Sequence, residues 1–345
     1  VVNSLSTVIA DSTSLLKILN GNAYPHDVVL SVMDVNSLYP SIPIIEGCGM
    51  IAELLYEHSS LIPPQDVPHI IDLLLFILSS NVLTYNNEHF LQLSGTAMGT
   101  PVAVVFAVLF MYCLEHALVS EFLDSGLLLL YKRFIDDIFT LFISEFAAKV
   151  FWERFNTLCP SISVEGVISL SRVNFLDISI FKGARFSSTS CLDYSLYQKA
   201  LNNYLYLPFT TFVPLSIKKA FVCNELLRIA KNCSNIDDYI TSRQLFFDRL
   251  RARGYPTDFL TGLFYSISYD DRARFFTNRP ARETDKPIPL ICHYDNRVRD
   301  INLTNIISQH WDLLDPLIFT TPPVVAFSKG NTIRSIIAHA KKGLP

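Results

Sequence analysis

The sequence predicts an α+β protein in which an antiparallel sheet with helices precedes a mostly helical part. Strand-like and helix-like segments alternate up to about residue 185 without a βαβ repeat. The pattern becomes mostly helical and basic from Ala200 onward, and a proline-rich stretch at 279–290 separates a last segment. We therefore expect three parts, at 1–185, 186–278 and 279–345.

Local signals place the elements of the first part. Asp11 or Ser12 caps the first helix, β-branched residues mark the first strand, and Asn86-Asn87 marks a hairpin turn. Helices are expected at 11–20, 44–58, 67–83, 101–123 and 145–159. Strands are expected at 28–34, 128–135, 138–144, 161–168 and 173–181, with a hairpin at 85–93.

Composition indicates a folded, intracellular protein. Of 345 residues, 50% are hydrophobic and only 17% are charged, which argues against disorder. The seven cysteines are scattered without a CxxC pair, so we expect reduced thiols and a nuclear or cytoplasmic location. The longest uncharged apolar run, Pro101–Leu114, is too short for a membrane span and predicts a core helix. Because the chain opens on Val1, we expect it to be a piece of a longer protein.

Charge is distributed unevenly along the chain. Residues 1–66 carry one basic residue against seven acidic ones, whereas residues 199–279 carry twelve basic against seven acidic. This polarity suits a protein that holds metal ions in one place and a phosphate backbone in another. Lys and Arg that only solvate helix faces would give the same count, so charge alone decides nothing.

Two adjacent aspartates interrupt the apolar segment 131-YKRFIDDIFTLF-142. If its two halves form a hairpin, Asp136 and Asp137 lie at the tip, and the strand 28–34 also ends on an acid, Asp34. Three carboxylates on adjacent strand ends suit two divalent ions about 3.5–4 Å apart, the arrangement used for phosphoryl transfer. The simpler interpretation is an Asp-Asp turn, because aspartate favours turns.

Three motifs in order resemble the palm motifs of reverse transcriptases. FIDDIF resembles the catalytic hairpin, with Phe134 in the aromatic place, and 34-DVNSLYPSIP-43 resembles the first palm motif. The segment 92-QLSGTAMGTPVA-103 resembles the motif beside the template and nucleotide. By this resemblance Tyr39 would exclude a 2′-hydroxyl, Gln92 would contact template or nucleotide, and Gly95 would permit close backbone approach.

Later segments resemble the reverse transcriptases of Penelope-like retroelements. These are RARGYP at 251–256 and 323-PVVAFSKGNTIRSIIAHAK-341, while 174-NFLDISI-180 resembles a primer-grip strand in which Asp177 has a structural role. The resemblance implies a right-hand polymerase: a palm with a remnant of fingers at 1–185, a helical thumb at 186–278 and a C-terminal extension at 279–345.

The implied activity is RNA-directed DNA polymerisation, with an RNA template, a DNA primer and deoxynucleoside triphosphates as partners and no membrane. Asp34 and Asp136 would bind two Mg²⁺ ions, or Mn²⁺, with the Val35 carbonyl as a further ligand and Asp137 completing the acidic cluster. The nucleotide-binding residues would be Tyr39, Gln92 and Gly95. The nucleic-acid-binding residues would be Lys199, Lys218, Lys219, Arg249, Arg251 and Arg253.

Departures from the family pattern leave alternatives open. Only 33 residues precede Asp34, with Lys17 as their sole Lys or Arg, so the fingers are largely absent. A catalytically inactive or domesticated module that binds nucleic acid is the first alternative. An RNA-templated RNA polymerase or a telomerase-like enzyme is the second, and a membrane-associated or structural protein is the third. The oligomeric state stays open.

Overall fold

The computed structural model describes residues 2, 5–199, 201–277, 289–293, 303–310, 313 and 324–328. The chain divides into two compact units. The first unit comprises Val1–Asn202 with Asn232–Asp238, and the second comprises Asn203–Lys231 with Tyr239–Pro345. The first unit therefore extends beyond the predicted boundary at 185. Most of the expected part at 279–345 lies outside the described residues.

The first unit contains mixed helices and strands. Its helices are α1 (Ser12–Gly21), α2 (Leu38–Ser41), α3 (Ile44–Glu57), α4 (Val67–Ser79), α5 (Ala103–Asp124), α6 (Glu145–Phe155) and α7 (Phe186–Thr189). Its strands are β1 (Val29–Val35), β2 (Val82–Tyr85), β3 (Glu88–Leu91), β4 (Leu128–Phe134), β5 (Asp137–Phe142), β6 (Val164–Ser169), β7 (Arg172–Phe175), β8 (Ile178–Phe181) and β9 (Asp193–Leu196).

The second unit is mostly helical. Its elements are α8 (Leu215–Lys231), α9 (Ile236–Ala252), which begins in the 232–238 segment, α10 (Thr257–Tyr265), α11 (Ala273–Phe276), β10 (Pro289–His293), α12 (Leu303–Gln309) and β11 (Val324–Ser328). Aromatic side chains form its core: the Phe246 ring lies 5.4 Å from Tyr206, 6.1 Å from Phe221 and 5.8 Å from Phe264. β10 and β11 pair in parallel.

A four-stranded antiparallel sheet in the order β4-β5-β1-β6 organises the first unit. The strands predicted at 28–34, 128–135 and 138–144 become β1, β4 and β5. A second antiparallel sheet has the order β7-β8-β9. The antiparallel, mixed α and β character predicted from the sequence is therefore confirmed.

The two faces of the main sheet have different neighbours. Val29, Met33 and Val35 of β1 belong to the apolar core that includes α5 and α6, and Trp152 Nε1 donates to Ser31 Oγ at 3.1 Å. Because side chains alternate along a strand, Asp34 points to the opposite face. On β5, Phe139 also points there, and its ring lies 5.7 Å from Phe175 of β7.

Several elements differ from the sequence expectation, including the short helices α2 and α7, which were not predicted. The strand predicted at 173–181 is a hairpin, because Leu176 adopts a φ of 52° and turns the chain between β7 and β8. β9, which pairs with β8, was not predicted. The helix predicted at 67–83 ends at Ser79, because its last residues pair as β2 with β3 across the Asn86-Asn87 turn.

The helix α5 is long and apolar enough, by length and composition, to cross a membrane. Among the described residues no other helix meets that test. However, 56% of its most apolar window is buried inside the protein, as in a core helix. Phe106, Phe110 and Phe122 on this helix pack in the main core, which matches the core helix predicted from the sequence.

Gly166 allows β6 to approach β1 closely. A Cβ at this position would lie 2.0 Å from the Val32 carbonyl oxygen, which is backbone and has no room to move aside. We predict that Gly166→Ala lowers the free energy of unfolding by about 3 kcal/mol, measured by urea denaturation. Gly49→Ala is the matched control: Gly49 is an exposed residue of α3, a Cβ there would meet nothing within 4 Å, and the change should stabilise by about 0.5–1 kcal/mol. Equal midpoints for the two variants would contradict this prediction.

Candidate active site

Asp34 and Asp137 face each other across adjacent strands. They are direct partners in the antiparallel pairing of β1 with β5. The next pair is hydrogen-bonded, with the Val35 amide donating to the Asp136 carbonyl at 3.2 Å. Bonded and non-bonded pairs alternate, so Asp34 and Asp137 form a non-bonded pair, with Cα atoms about 4.5 Å apart and side chains on one face. The sequence expectation that Asp34 would approach the acidic tip therefore agrees with the strand register.

Asp136 occupies the turn between the paired strands. Phe134 and Asp137 are the last paired residues, and Ile135 and Asp136 form the two-residue turn between them. Ile135 adopts a φ of 55°, and a positive φ in the first turn position suits a tight hairpin. For a β-branched residue this conformation is unfavourable. The hairpin tip predicted from the FIDDIF motif is therefore present, with strain at its first residue.

The carboxylates influence one another electrostatically. Burial raises the pKa of Asp137 to about 6, and the charges of Asp136 and Asp34 add to this rise. The pKa of Asp34 is also raised, by partial burial and then by the charges of Asp136 and Glu165. Asp34, Asp136 and Asp137, the three acids predicted from the sequence, therefore interact electrostatically as one group. Like charges held together favour a bound cation or a proton.

Two further charged residues belong to this group, and the sequence interpretation gave neither of them this role. Glu165 on β6 is the register partner of Asp34 on the other side of β1, and its charge raises the pKa of Asp34. An acid inside the predicted strand 161–168 was the available signal. Lys199 is exposed, and its positive charge lowers the pKa of Asp137. Nothing in its local sequence indicates that proximity.

Tyr39 lies half-buried beside the acids. Burial raises the pKa of its hydroxyl, and the charge of Asp136 adds to the rise. Its carbonyl accepts a hydrogen bond from the Thr96 amide at 2.8 Å, which ties the 92–103 motif to the first motif. Gly95 has a φ of +67°, and a Cβ there would lie 2.4 Å from the Pro40 backbone. The close approach predicted for Gly95 is therefore made to the chain's own backbone.

Gln92 has a contact within its own loop. Its side-chain amide donates to the Ser94 carbonyl at 2.9 Å. Gly99 has a φ of +95° and open space around it. Template or nucleotide contact by Gln92 stays a prediction.

The donor set at the acidic tip suits a hard divalent ion. Carboxylate oxygens are the ligands that Mg²⁺ prefers, and it takes the rest of its octahedral shell from water and phosphates. Within the described part of the chain, no three His, Cys, Asp or Glu side chains are grouped closely enough to enclose a metal by themselves. The Val35 carbonyl shares a strand edge with the Val35 amide and so faces the turn. The residues therefore fit a partly open metal site rather than a closed one.

Asp177 makes structural contacts in the turn between β7 and β8. It occupies the second turn position between β7 and β8, and its carboxylate accepts a hydrogen bond from Asn232 Nδ2 at 2.7 Å. Its backbone carbonyl also accepts from the Tyr197 amide at 2.9 Å. The structural role predicted for it agrees with these contacts.

Several basic residues predicted to bind nucleic acid contact their own unit. Lys218 Nζ donates to the carbonyls of Phe209 and Thr211 at 2.7 and 2.8 Å. The Arg249 guanidinium lies 3.7 Å from the Tyr204 ring centroid. These contacts fix the loop that precedes α8.

The other residues predicted to bind nucleic acid include two more arginines that contact backbone carbonyls and one exposed lysine. Arg253 Nε donates to the Tyr206 carbonyl at 2.6 Å, and Arg251 Nη1 donates to the Tyr255 carbonyl at 2.7 Å. Lys219 is exposed on α8. Phosphate binding by all six residues stays a prediction.

Solved structures resemble this chain at low sequence identity. The chain resembles a telomerase from Candida albicans, solved with a fragment of telomeric RNA, at a TM-score of 0.54 and 11% identity, covering 79% of this chain and 49% of that one. It also matches an RNA-dependent RNA polymerase of a human picobirnavirus at a TM-score of 0.44 and 15% identity, covering 71% and 46%. The chain spans about half the length of each. The first likeness shows a fold similar to that of the telomerase; the second is too weak to argue from.

A family model covers part of the second unit. The model described as an animal helix-turn-helix domain matches residues 205–264, which contain α8, α9 and α10. No curated protein matches this chain. The helix-turn-helix match is confined to the second unit, whereas the telomerase likeness covers most of the chain.

The raised pKa of Asp137 predicts a stability gain when its charge is removed. The folded pKa of about 6 exceeds the ordinary 3.8, so ionised Asp137 destabilises the fold above pH 6, and this effect fades as pH falls toward 4. In EDTA at pH 8, Asp137→Asn should raise the free energy of unfolding by about 2 kcal/mol, measured by urea denaturation.

The control for this prediction is Asp72→Asn, a change on an exposed residue of α4. This control should alter the free energy of unfolding by less than about 0.5 kcal/mol at pH 8 and at pH 4. A gain for Asp137→Asn that is the same at pH 8 and pH 4 would refute the electrostatic explanation.

Proposed function

We propose that this chain is the polymerising core of an RNA-directed DNA polymerase. The observation that carries the proposal is the register that pairs Asp34 with Asp137 next to Asp136 at a hairpin tip. A fold similar to that of a telomerase supports it. The substrates would be deoxynucleoside triphosphates, an RNA template and a DNA primer.

The three acids would hold two Mg²⁺ ions, or Mn²⁺ in their place. Bound there, the ions would lower the pKa of the primer 3′-hydroxyl and neutralise the triphosphate. Asp34 and Asp136 would be the main ligands, with the Val35 carbonyl at the same strand edge and Asp137 completing the charge. Asp137, with its raised pKa, would hold a proton more readily than an ordinary carboxyl when no cation is present.

Tyr39 would select the sugar. The half-buried Tyr39 ring lies where the Asp136 charge reaches it, and its backbone is fixed by the Thr96 amide. A ring fixed beneath the incoming nucleotide would clash with a 2′-hydroxyl. Gln92 and Gly95 would form the neighbouring wall of the nucleotide site.

The second unit would hold the template and primer. Exposed Lys219 and the positions Lys218, Arg249, Arg251 and Arg253 would contact phosphates without sequence preference. The helix-turn-helix match at 205–264 supports a role in nucleic-acid binding. The origin in a Penelope-like retroelement and an intracellular location, nuclear or cytoplasmic, belong to the same proposal.

A module that binds nucleic acid without catalysis is the second candidate. The helix-turn-helix match favours it. The presence of all three acids favours catalysis. The two candidates differ in whether a carboxylate change alters product formation.

Replacement of Asp136 tests the proposal. With an RNA template, a DNA primer and Mg²⁺, the chain should extend the primer, and Asp136→Asn should lower the rate by about 1,000-fold or more, because a metal ligand is lost. The measurement is single-turnover primer extension on a sequencing gel.

Asp72→Asn, on the exposed face of α4, is the matched control and should extend the primer at the wild-type rate. Salt-dependent binding of the duplex by the wild type and the Asp136→Asn variant alike, with no extension by either, would establish the non-catalytic candidate in place of the polymerase.

Replacement of Tyr39 tests the sugar gate. Tyr39→Ala should raise the ratio of ribonucleotide to deoxynucleotide incorporation by about 10-fold or more, because the clash with the 2′-hydroxyl is removed. The measurement is kcat/KM for each nucleotide. Tyr56→Ala, on an exposed position of α3, should leave the ratio unchanged. An unchanged ratio in Tyr39→Ala would exclude this residue as the gate.

A further inference from the structure

A buried ion pair lies directly behind the acidic hairpin. Arg133 on β4 and Glu115 on α5 both have fully buried side chains. Arg133 Nε donates to the two Glu115 carboxylate oxygens at 2.9 and 2.8 Å, and the Tyr131 hydroxyl donates to Oε2 at 2.7 Å. Burying two charges is costly, and a well-packed apolar pair of similar volume often serves the core equally well. We therefore expect this ion pair to have a role in addition to packing.

The rest of the guanidinium reaches the turn that carries Asp136. Arg133 Nη1 donates to the Ile135 carbonyl at 2.9 Å, and Nη2 donates to the Val108 carbonyl at 3.1 Å. One planar group thereby joins the helix α5 to the hairpin tip. Lysine, as a point charge, does not reproduce this set of donors.

The backbone of Arg133 is fixed as well. Its amide donates to the Thr7 carbonyl at 2.8 Å, and its carbonyl accepts from the Ile9 amide at 2.9 Å. The guanidinium therefore extends from a strand position that is paired on both sides.

The turn that Arg133 contacts requires a restraint. Ile135 has a positive φ of 55°, which a β-branched residue rarely adopts, so the turn is not at its own conformational minimum. The Ile135 carbonyl belongs to the peptide plane that leads into Asp136, so fixing that carbonyl fixes the plane. The Asp136 carbonyl in turn accepts from the Val35 amide, which neighbours Asp34.

We propose that Arg133, Glu115 and Tyr131 form a positioning network that holds the strained Ile135–Asp136 turn in the geometry that presents Asp136 and Asp137 to Asp34. Arg133 makes the contact with the turn, Glu115 orients Arg133, and Tyr131 completes the shell around Glu115. None of the three is a catalytic residue. The activity readouts of this inference depend on the proposed function; its amide-exchange readout does not.

Arg133→Lys separates positioning from simple packing. Primer extension should lose about 10- to 100-fold in kcat with KM for the nucleotide within about 2-fold, because misplaced carboxylates affect the transition state more than nucleotide binding. The Mg²⁺ concentration for half-maximal rate should rise. Tyr131→Phe removes one donor to Glu115 but leaves the Arg133 contacts with the turn intact, so it should lower kcat less than Arg133→Lys does.

A matched core variant controls for lost stability. Phe122→Leu on α5 removes buried ring contacts beside Phe151 without touching the turn. When Phe122→Leu and Arg133→Lys are each assayed at the same interval below their own melting temperature, Phe122→Leu should keep the wild-type kcat and Mg²⁺ dependence. Glu115→Gln keeps the shape of the site and provides the same test, with a smaller effect, if Arg133→Lys does not fold.

A double-mutant cycle tests the link to the strained turn. Glycine adopts positive φ freely, so Ile135→Gly makes the restraint from Arg133 less necessary. The loss of kcat caused by Arg133→Lys should shrink by about 3-fold or more in the Ile135→Gly background. Additive effects would show that Arg133 only stabilises the core.

Hydrogen exchange provides a readout that is independent of activity. The Val35 amide reports the turn because its acceptor is the Asp136 carbonyl. Arg133→Lys should accelerate its exchange by about 10-fold relative to Phe122→Leu at equal melting temperature. If the wild type shows no primer extension, the proposed function fails while this comparison still decides the positioning role. Unchanged Val35 exchange in both Arg133→Lys and Glu115→Gln would overturn the inference.

Discussion

The register between β1 and β5 is the constraint on which the candidate site depends. A slip of one residue would turn Asp34 to the helix-covered face and expose the apolar set that lies there now. Met33 and Ile138, which are register partners, are fully buried, so the core opposes that slip. The apolar residues next to the acids therefore set where the acids point. Function at this tip is specified by the packing of its neighbours.

The same packing offsets an electrostatic cost. The raised pKa values of Asp34 and Asp137 reflect burial and the repulsion between carboxylates that the fold holds close together. The strained φ of Ile135 adds a conformational cost at the same tip. Costs that gather at one place, within an otherwise consistent fold, are typical of functional sites. Arg133 and Glu115 lie behind this tip, where a rigid scaffold is most needed.

Sequence reasoning found what depends on local pattern. The hairpin ends, the three acids and the Asn86-Asn87 turn follow from alternation and turn chemistry. It missed what depends on distance along the chain: Glu165 reaches Asp34 only through strand pairing, and Glu115 reaches Arg133 only through helix packing. It also read β7 and β8 as one strand, because a left-handed Leu176 leaves no signal in an apolar run. The fold is similar to that of a telomerase, while the activity rests on the tests above.

The charge field around the acids determines how a substrate would bind. Residues 18–131 contain no Lys or Arg, and in the first unit Arg133 and Arg154 are paired with Glu115 and Glu121. Lys199 is exposed and acts on Asp137. An acidic tip with so little nearby positive charge would repel a triphosphate, so under the proposed function the anion and the divalent cations would have to bind together. Each then raises the affinity of the other by the same factor, as thermodynamic linkage requires. Under the proposed function, the acids would therefore bind a metal-nucleotide complex more tightly than either component alone.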